Sequence, residues 1–220
     1  MSRLGKTSIR RPRASSGGSK TRQSLLDAAL KLLDGERSLD GLSLRELTRE
    51  VGIVPTAFYR HFKTMDELGL ALVDDSFRAL RGILESVRAG PGDQQRLIRG
   101  VVKALVKQIR AQRPRFRFIA SERHGGVTVV RQAIRREMRL VQSELAIDLS
   151  RFDFNRSWGV ADLQMLAALL VNAMVPIAED ILDLGRGDSS AEQELTVQAE
   201  QQLRLILLGA AQWKPASTSS

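Results

Sequence analysis

Thr56, Tyr59, Arg60, His61 and Lys63 place a hydroxyl, a phenol, a guanidinium, an imidazole and an ammonium within eight positions. Tyr59 and His61 can donate to phosphate, and Arg60 can reach a phosphate or the edge of a guanine. Ser43, Arg45 and Lys63 flank the group, where a hydroxyl, a cation and free helix amides clamp a phosphate backbone. This chemistry binds a polyanion and makes or breaks no bond. Glu122 beside His124 is the pair that most resembles an acid–base couple, and its place at a helix end fits a structural role better. No nucleophile–base pair, metal set or glycine-rich phosphate loop is evident in the 220 residues. With no cysteine and two distant histidines, His61 and His124, neither a disulfide nor a His/Cys metal site is expected. The expectation is no catalysis, no metal and no cofactor.

The donors need two short helices to present them. Ser43-Leu-Arg-Glu46 matches the S-x-x-E capping box, Leu44, Leu47 and Val51 give one apolar face, and Gly52 ends the helix in a tight turn. Ile53 is the buried turn residue. Pro55 suits the first position of a second short helix, expected over 55–61, in which Ala57 and Phe58 pack inward and Phe62 closes the unit. Two helices around a glycine turn form the motif whose second helix enters the major groove. An earlier helix from Lys20 buries Leu25, Ala28, Ala29, Leu32 and Leu33, and Gly35 is its expected end.

The rest of the chain is also helical by periodicity, so the fold class is all-α, with about nine helices in a three-helix N-terminal domain and a larger bundle. The expected division is a disordered basic arm over 1–19, a helix-turn-helix domain over 20–63, a ligand-binding and dimerisation domain over 64–213, and a disordered tail over 214–220. Thr64, with Asp66 and Glu67, opens a long helix that Gly90-Pro91-Gly92 stops; Asp93 opens the next and Pro114 breaks it. Phe152, Phe154 and Trp158 form an aromatic loop. The longest apolar region, Leu163 to Ile177, is interrupted by Gln164, Asn172 and Pro176, so no membrane span, no signal peptide and a cytoplasmic protein are expected.

The net charge of +9 is unevenly spread: +7 over 1–63, −3 over 64–95, +11 over 96–139 and −6 over 140–220. Arg96, Arg99, Lys103, Lys107, Arg110 and Arg113 share one helix face by their spacing. Like charges stacked so are neutralised either by the acids of the C-terminal part or by an anionic ligand. Arg115, Arg117, Arg123, Arg131, Arg135, Arg136 and Arg139 extend the same basic region. Phe116, Phe118, Ile119, Val130, Ile134, Phe152, Trp158, Leu163, Leu166 and Leu170 are the candidate walls of an apolar slot, with core filling the competing fate of each. The helix from Val160 is apolar on most faces and must be covered on both sides. Leu166, Met174 and Ile181, with Leu203, Ile206 and Leu207 of the last helix, are the candidate residues of a four-helix homodimer interface, and Pro176 is expected to kink the first of the two helices.

Residues 20–68 resemble the DNA-binding domain of the TetR family of bacterial repressors, through Arg22, Leu26, Ala28 and Ala29, then Leu44, Ile53, Phe58, and the run Tyr59-Arg-His61-Phe62-Lys63, then Asp66, Glu67 and Leu68. Val54 and Pro55 depart from the polar residues that more usually open the recognition helix. Residues 42–76 and 116–126, with Val130, Arg131 and Ile134, are similar to the branch that represses unsaturated fatty acid synthesis genes in proteobacteria. The resemblance implies a homodimer on a palindromic double-stranded operator, with Arg22, Ser43, Arg45, Pro55, Thr56, Ala57, Tyr59, Arg60, His61 and Lys63 at the DNA. It further implies an acyl-CoA effector, with unsaturated chains strengthening repression and saturated chains relieving it. The alternatives are a TetR-type repressor of an efflux or catabolic operon with another ligand, and a membrane-surface protein using the basic helix at 96–113.

Overall fold

The computed structural model describes residues 16–34, 37–88, 94–151, 158–185 and 187–214. Within them lie nine α-helices, one 3-10 turn and no strand. The helices are α1 (Ser16–Leu32), α2 (Leu44–Val51), α3 (Pro55–Phe58), α4 (Met65–Arg88), α5 (Gln94–Ala111), α6 (Arg113–Glu122), α7 (Thr128–Leu149), α8 (Val160–Asp183) and α9 (Ser189–Gln212); the 3-10 turn is Leu39–Gly41. The expected ends at Gly35 and Gly90-Pro91-Gly92, the opening at Asp93, the side chains of Phe152 and Phe154, residues 1–15 of the arm and 215–220 of the tail lie outside the described residues. Residues 16–19, read from sequence as part of the arm, are instead the first turn of α1.

Local chemistry sets the short elements. The Ser43 hydroxyl oxygen accepts from the Glu46 amide at 3.2 Å and caps α2. Only half of the capping box forms, because the Glu46 carboxylate turns to the Arg37 guanidinium at 2.6 and 3.0 Å. That hydrogen bond holds the Glu46 carboxyl below its usual range. Gly52 takes φ 75°, ψ 33°, a left-handed conformation that a side chain would strain, and reverses the chain between α2 and α3. Pro55 opens α3, whose missing amide costs nothing there. Regular helix ends at Phe58 rather than at His61; residues 59–61 form a tight turn in which the His61 amide donates to Phe58 O at 2.8 Å. Thr64 Oγ1 accepts from the Glu67 amide at 3.1 Å, while the Glu67 carboxylate accepts from the Lys63 amide at 2.6 Å, fixing the entry into α4. Pro114 follows the expected break, since α5 ends at Ala111. It sits in the first turn of α6, where proline is tolerated.

The apolar side chains divide into two cores. The first joins α1 to α3 and the first half of α4 (Leu25, Leu47, Phe58, Phe62, Leu72, Phe77) to Phe118 of α6 and to Val130, Ile134 and Val141 of α7. The second fills the space among α5, α8, α9 and the ends of α6 and α7 (Val102, Ile109, Phe116, Leu166, Ile177, Ile181, Leu203). The N-terminal head is thus keyed into the body instead of hanging from it. Gly69 permits the closest approach: a Cβ there would fall 2.5 Å from Leu39 Cδ2 and 2.6 Å from Val130 Cγ2. The α8 helix runs through Pro176 unbroken in assignment. By length and composition it is apolar enough to cross a bilayer, contrary to expectation from Gln164, Asn172 and Pro176. Its buried side, Leu166, Leu170, Ile177 and Ile181, packs into the second core.

Candidate functional site

The head leaves most of the predicted donors exposed. Ser43, Arg45, Pro55, Thr56, Tyr59, Arg60 and Lys63 are exposed, and Ala57 and His61 are half-buried. Tyr59 is 58% exposed and is steadied edge-on by Phe58, with centroids 5.6 Å apart at 87°. Phe58 and Phe62 are buried beneath, so the core holds the turn that carries Tyr59, Arg60 and His61. Arg22 lies over the Phe62 ring at 5.0 Å to its centroid, a cation–π contact that orients it while leaving it exposed. Among the described residues, Arg22, Arg45, Arg60 and Lys63 have no carboxylate partner, so their charge is available to an external anion. Ser43, already accepting from Glu46, keeps its hydroxyl proton to donate. Val54 was not foreseen as a site residue. It is 65% exposed at the N-cap of α3, an apolar surface of the kind that meets a thymine methyl. The available signal was an apolar residue where a polar cap is preferred.

Polar contacts as well as apolar ones tie this head to the body through α6. Arg115 Nε donates to Asp75 at 2.8 Å and its guanidinium lies 3.7 Å from Asp27 of α1. Arg117 pairs with Asp34 at 3.5 Å and donates to Leu182 O at 2.6 Å. Arg113 also donates to the Leu182 and Leu184 carbonyls, so two arginines satisfy the end of α8. Glu122, 1% exposed, accepts from the Leu39 amide at 2.7 Å, while its second oxygen has no hydrogen-bond partner. Burial pushes its carboxyl above the usual range, the Leu39 amide opposes this, and the nearby Asp40 carboxyl adds to it. These ties escaped the sequence reading because each partner lies tens of residues away.

The mid-chain basic region is neutralised over much of its length. Arg99 pairs with Glu200 at 3.5 Å, Arg110 with Glu192, and Arg123 with Glu179 at 3.1 Å. The α5 stripe therefore does not form a continuous basic rim for a ligand; Arg96, Lys103 and Lys107 are its exposed cations without an ion pair among the described residues.

The candidate slot residues do not line one slot. Phe118, Ile119, Val130 and Ile134 seat the head in the first core, whereas Phe116, Trp158, Leu163, Leu166 and Leu170 belong to the second. Of these only Ile134 also borders an open cleft of about 400 Å³ between α7 and α8, which Arg123, His124, Arg135 and Arg139 rim. The dimer candidates need a similar correction. Leu166, Ile181 and Leu203 are buried within the subunit, and Met174, Ile206 and Leu207 pack against the same core. The large apolar side chains left outside are Val160, Met165 and Leu169 on α8 and Val197, Leu205 and Leu208 on α9, with Leu205 at 72% exposure. The six candidate side chains face their own core, because a helix apolar on most sides does not reveal in sequence which side meets its own chain.

A helix-turn-helix head with exposed donors, fixed to an all-helical body, is the class of fold this chain adopts. Residues 25–72 match the family model described as bacterial regulatory proteins, tetR family. Over these residues the head is a TetR-type domain. Solved structures share the fold across both domains. The fatty acid degradation regulator FadR from Bacillus halodurans is 13% identical, with a TM-score of 0.66 over 86% of this chain and 95% of that one. A TetR-family regulator from Mesorhizobium loti is 13% identical, with 0.68 over 89% and 98%. The multidrug binding protein EbrR, solved with imidazole, is 19% identical, with 0.54 over 80% and 93%. At these identities the likeness is one of fold.

Proposed function

We propose that the chain is a dimeric repressor of fatty acid genes, acting in the cytoplasm on a palindromic operator, with acyl-CoA as the effector. The observation that carries the DNA half is the exposed set Arg45, Tyr59, Arg60 and Lys63 on a turn held by buried Phe58 and Phe62. The α3 turn enters the major groove, and Arg45 and Lys63 meet the flanking phosphates. The exposed Met165, Leu169, Leu205 and Leu208 supply a self-complementary apolar face from two helices per subunit, which a second copy covers. The fatty acid half draws support from the resemblance of 42–76 and 116–126 to the unsaturated-fatty-acid branch, and from the shared fold with a fatty acid degradation regulator.

The effector acts by differential affinity for two arrangements of the head, transmitted through α4 and α6. Operator binding titrated with oleoyl-CoA and palmitoyl-CoA tests this: oleoyl-CoA is expected to strengthen the complex and palmitoyl-CoA to weaken it. No response to either removes the acyl-CoA assignment and leaves the DNA-binding one. A second reading, repression of an efflux or catabolic operon under another ligand, is favoured by the split of the candidate slot residues between two cores, and by the fold shared with a multidrug binding protein.

A further inference from the structure

We propose that the open cleft between α7 and α8 is an effector site for an amphipathic anion, a carboxylate or phosphate carried on an apolar stem. The inference rests on the repressor reading above and names a site for its effector. Arg135 and Arg139 stand one helical turn apart on α7 and share a face with Met138 and Gln142. Two stacked guanidinium groups repel each other unless an anion lies between them. In the body Arg99, Arg110, Arg113, Arg115, Arg117 and Arg123 meet carboxylates or carbonyls, whereas Arg96, Arg136 and Arg204 are exposed but do not border this cleft. Arg135 and Arg139 are both exposed and have no such partner among the described residues. They present planar forks suited to a carboxylate or a phosphate. Across the cleft Asn172 adds an amide, and Val175 and Pro176, with Met138, form an apolar floor. The volume of about 400 Å³ is that of a small ligand, or of the anionic head of a longer one.

The cleft also has a physical connection to the head. Its rim includes Arg123, held by Glu179 at 3.1 Å and donating to His124 Nε2 at 2.9 Å. An anion in the cleft competes with Glu179 for Arg123. The residue before it, Glu122, holds the Leu39 amide and with it the turn that packs under α1 and α2. Occupancy therefore acts at the point where the body grips the head.

The test is calorimetric titration of the full chain with decanoate, decyl phosphate and inorganic phosphate, alongside operator binding with and without each probe. At least one decyl probe is expected to bind, and its acid group separates a carboxylate from a phosphate source. The Arg135→Ser/Arg139→Ser double variant is expected to lose about tenfold or more in that affinity, whereas Lys103→Ser/Lys107→Ser leaves it unchanged. Inorganic phosphate, without a stem, is expected to bind more weakly than the decyl probe. The bound probe is expected to shift operator affinity in the wild type only. Unchanged probe binding in the Arg135/Arg139 variant, no probe binding at all, or binding without any effect on the operator complex overturns the proposal. So does a change of sedimentation in that variant, which would make the cleft a contact between copies. A chain that binds operator and ignores the probes refutes this site alone. One that binds the probes but no operator refutes the repressor reading.

Discussion

The two basic stretches of this chain, net +7 over 1–63 and +11 over 96–139, are alike in sign and unlike in use. On the head, Arg22, Arg45, Arg60 and Lys63 face outward with no carboxylate partner among the described residues. In the body, Arg99, Arg110, Arg115, Arg117 and Arg123 meet Glu200, Glu192, Asp75, Asp34 and Glu179. Among the described residues, the stretch with the larger net charge therefore holds more of the ion pairs. Charge counted along a chain gives its sign; where the compensating acids fold decides whether a field reaches solvent. Here those acids come largely from α1, α4, α8 and α9, far away in sequence.

Removing cations from the head should produce the largest functional effect. For Arg60→Ala/Lys63→Ala, operator affinity is expected to fall on the order of a hundredfold, with a shallower dependence on salt. Stability should stay within ~0.5 kcal/mol, because both side chains are exposed. Binding isotherms across a salt series, with a thermal melt as control, decide it. An unaltered affinity at moderate salt would mean the turn does not face the DNA.

The same kind of substitution in the body should give the opposite profile. Arg115 and Asp75 are 23% and 15% exposed and bonded at 2.8 Å. Arg115→Ala leaves Asp75 and Asp27 without that cation and is expected to cost about 2 kcal/mol in urea denaturation. Arg115→Lys should recover only part, since an ammonium cannot span two carboxylates as a fork does. The exposed Lys31–Glu50 pair, at 2.6 Å, is the internal standard: its loss should be nearly silent.

Glu122 sharpens the contrast with pH. Its carboxyl is raised above 4.5 in the folded chain, chiefly by burial, so the native state holds the proton more tightly than the unfolded state. Stability contributed by this group is thus greatest when it is protonated, and declines as pH rises from about 4.5 through the folded-state value. Glu122→Gln keeps an oxygen for the Leu39 amide and removes the titration. Denaturation midpoints across pH should show a flatter decline for the variant in that window. Parallel curves would mean the group is not perturbed. Glu122→Ala, which removes the acceptor too, should lower stability at every pH.

Much of the head was legible in sequence because its determinants are local. The Ser43 cap, the Gly52 reversal, Pro55 at a helix start and the Thr64 cap each depend on residues within four positions. The Tyr59-to-Lys63 run was legible for the same reason, although the end of α3 at Phe58 was not. The body resisted. Helical periodicity located α8 and α9, yet Leu166 and Leu169 are only three positions apart and one is buried while the other is half exposed. Phe118 and Phe116 are two residues apart in one helix and belong to different cores. Such assignments depend on which neighbour arrives, and no local pattern records that. The ion pairs of α6 were hidden likewise.

The smallest expected effect is on α5, where Lys103 and Lys107 are exposed one turn apart between the paired Arg99 and Arg110. If the body charges serve its own structure and the head charges serve DNA, Lys103→Ser/Lys107→Ser should change stability by no more than ~0.5 kcal/mol. Relief of an i,i+4 repulsion offsets the loss of two helix-favouring side chains. Operator affinity and its salt dependence should remain those of the wild type. Sedimentation with anionic phospholipid vesicles extends the test, since an exposed lysine pair is what a membrane-surface helix would use. Vesicle binding by the wild type that is lost in the double variant would make α5 a working charge after all, and the division between head and body charges would fail at that helix first.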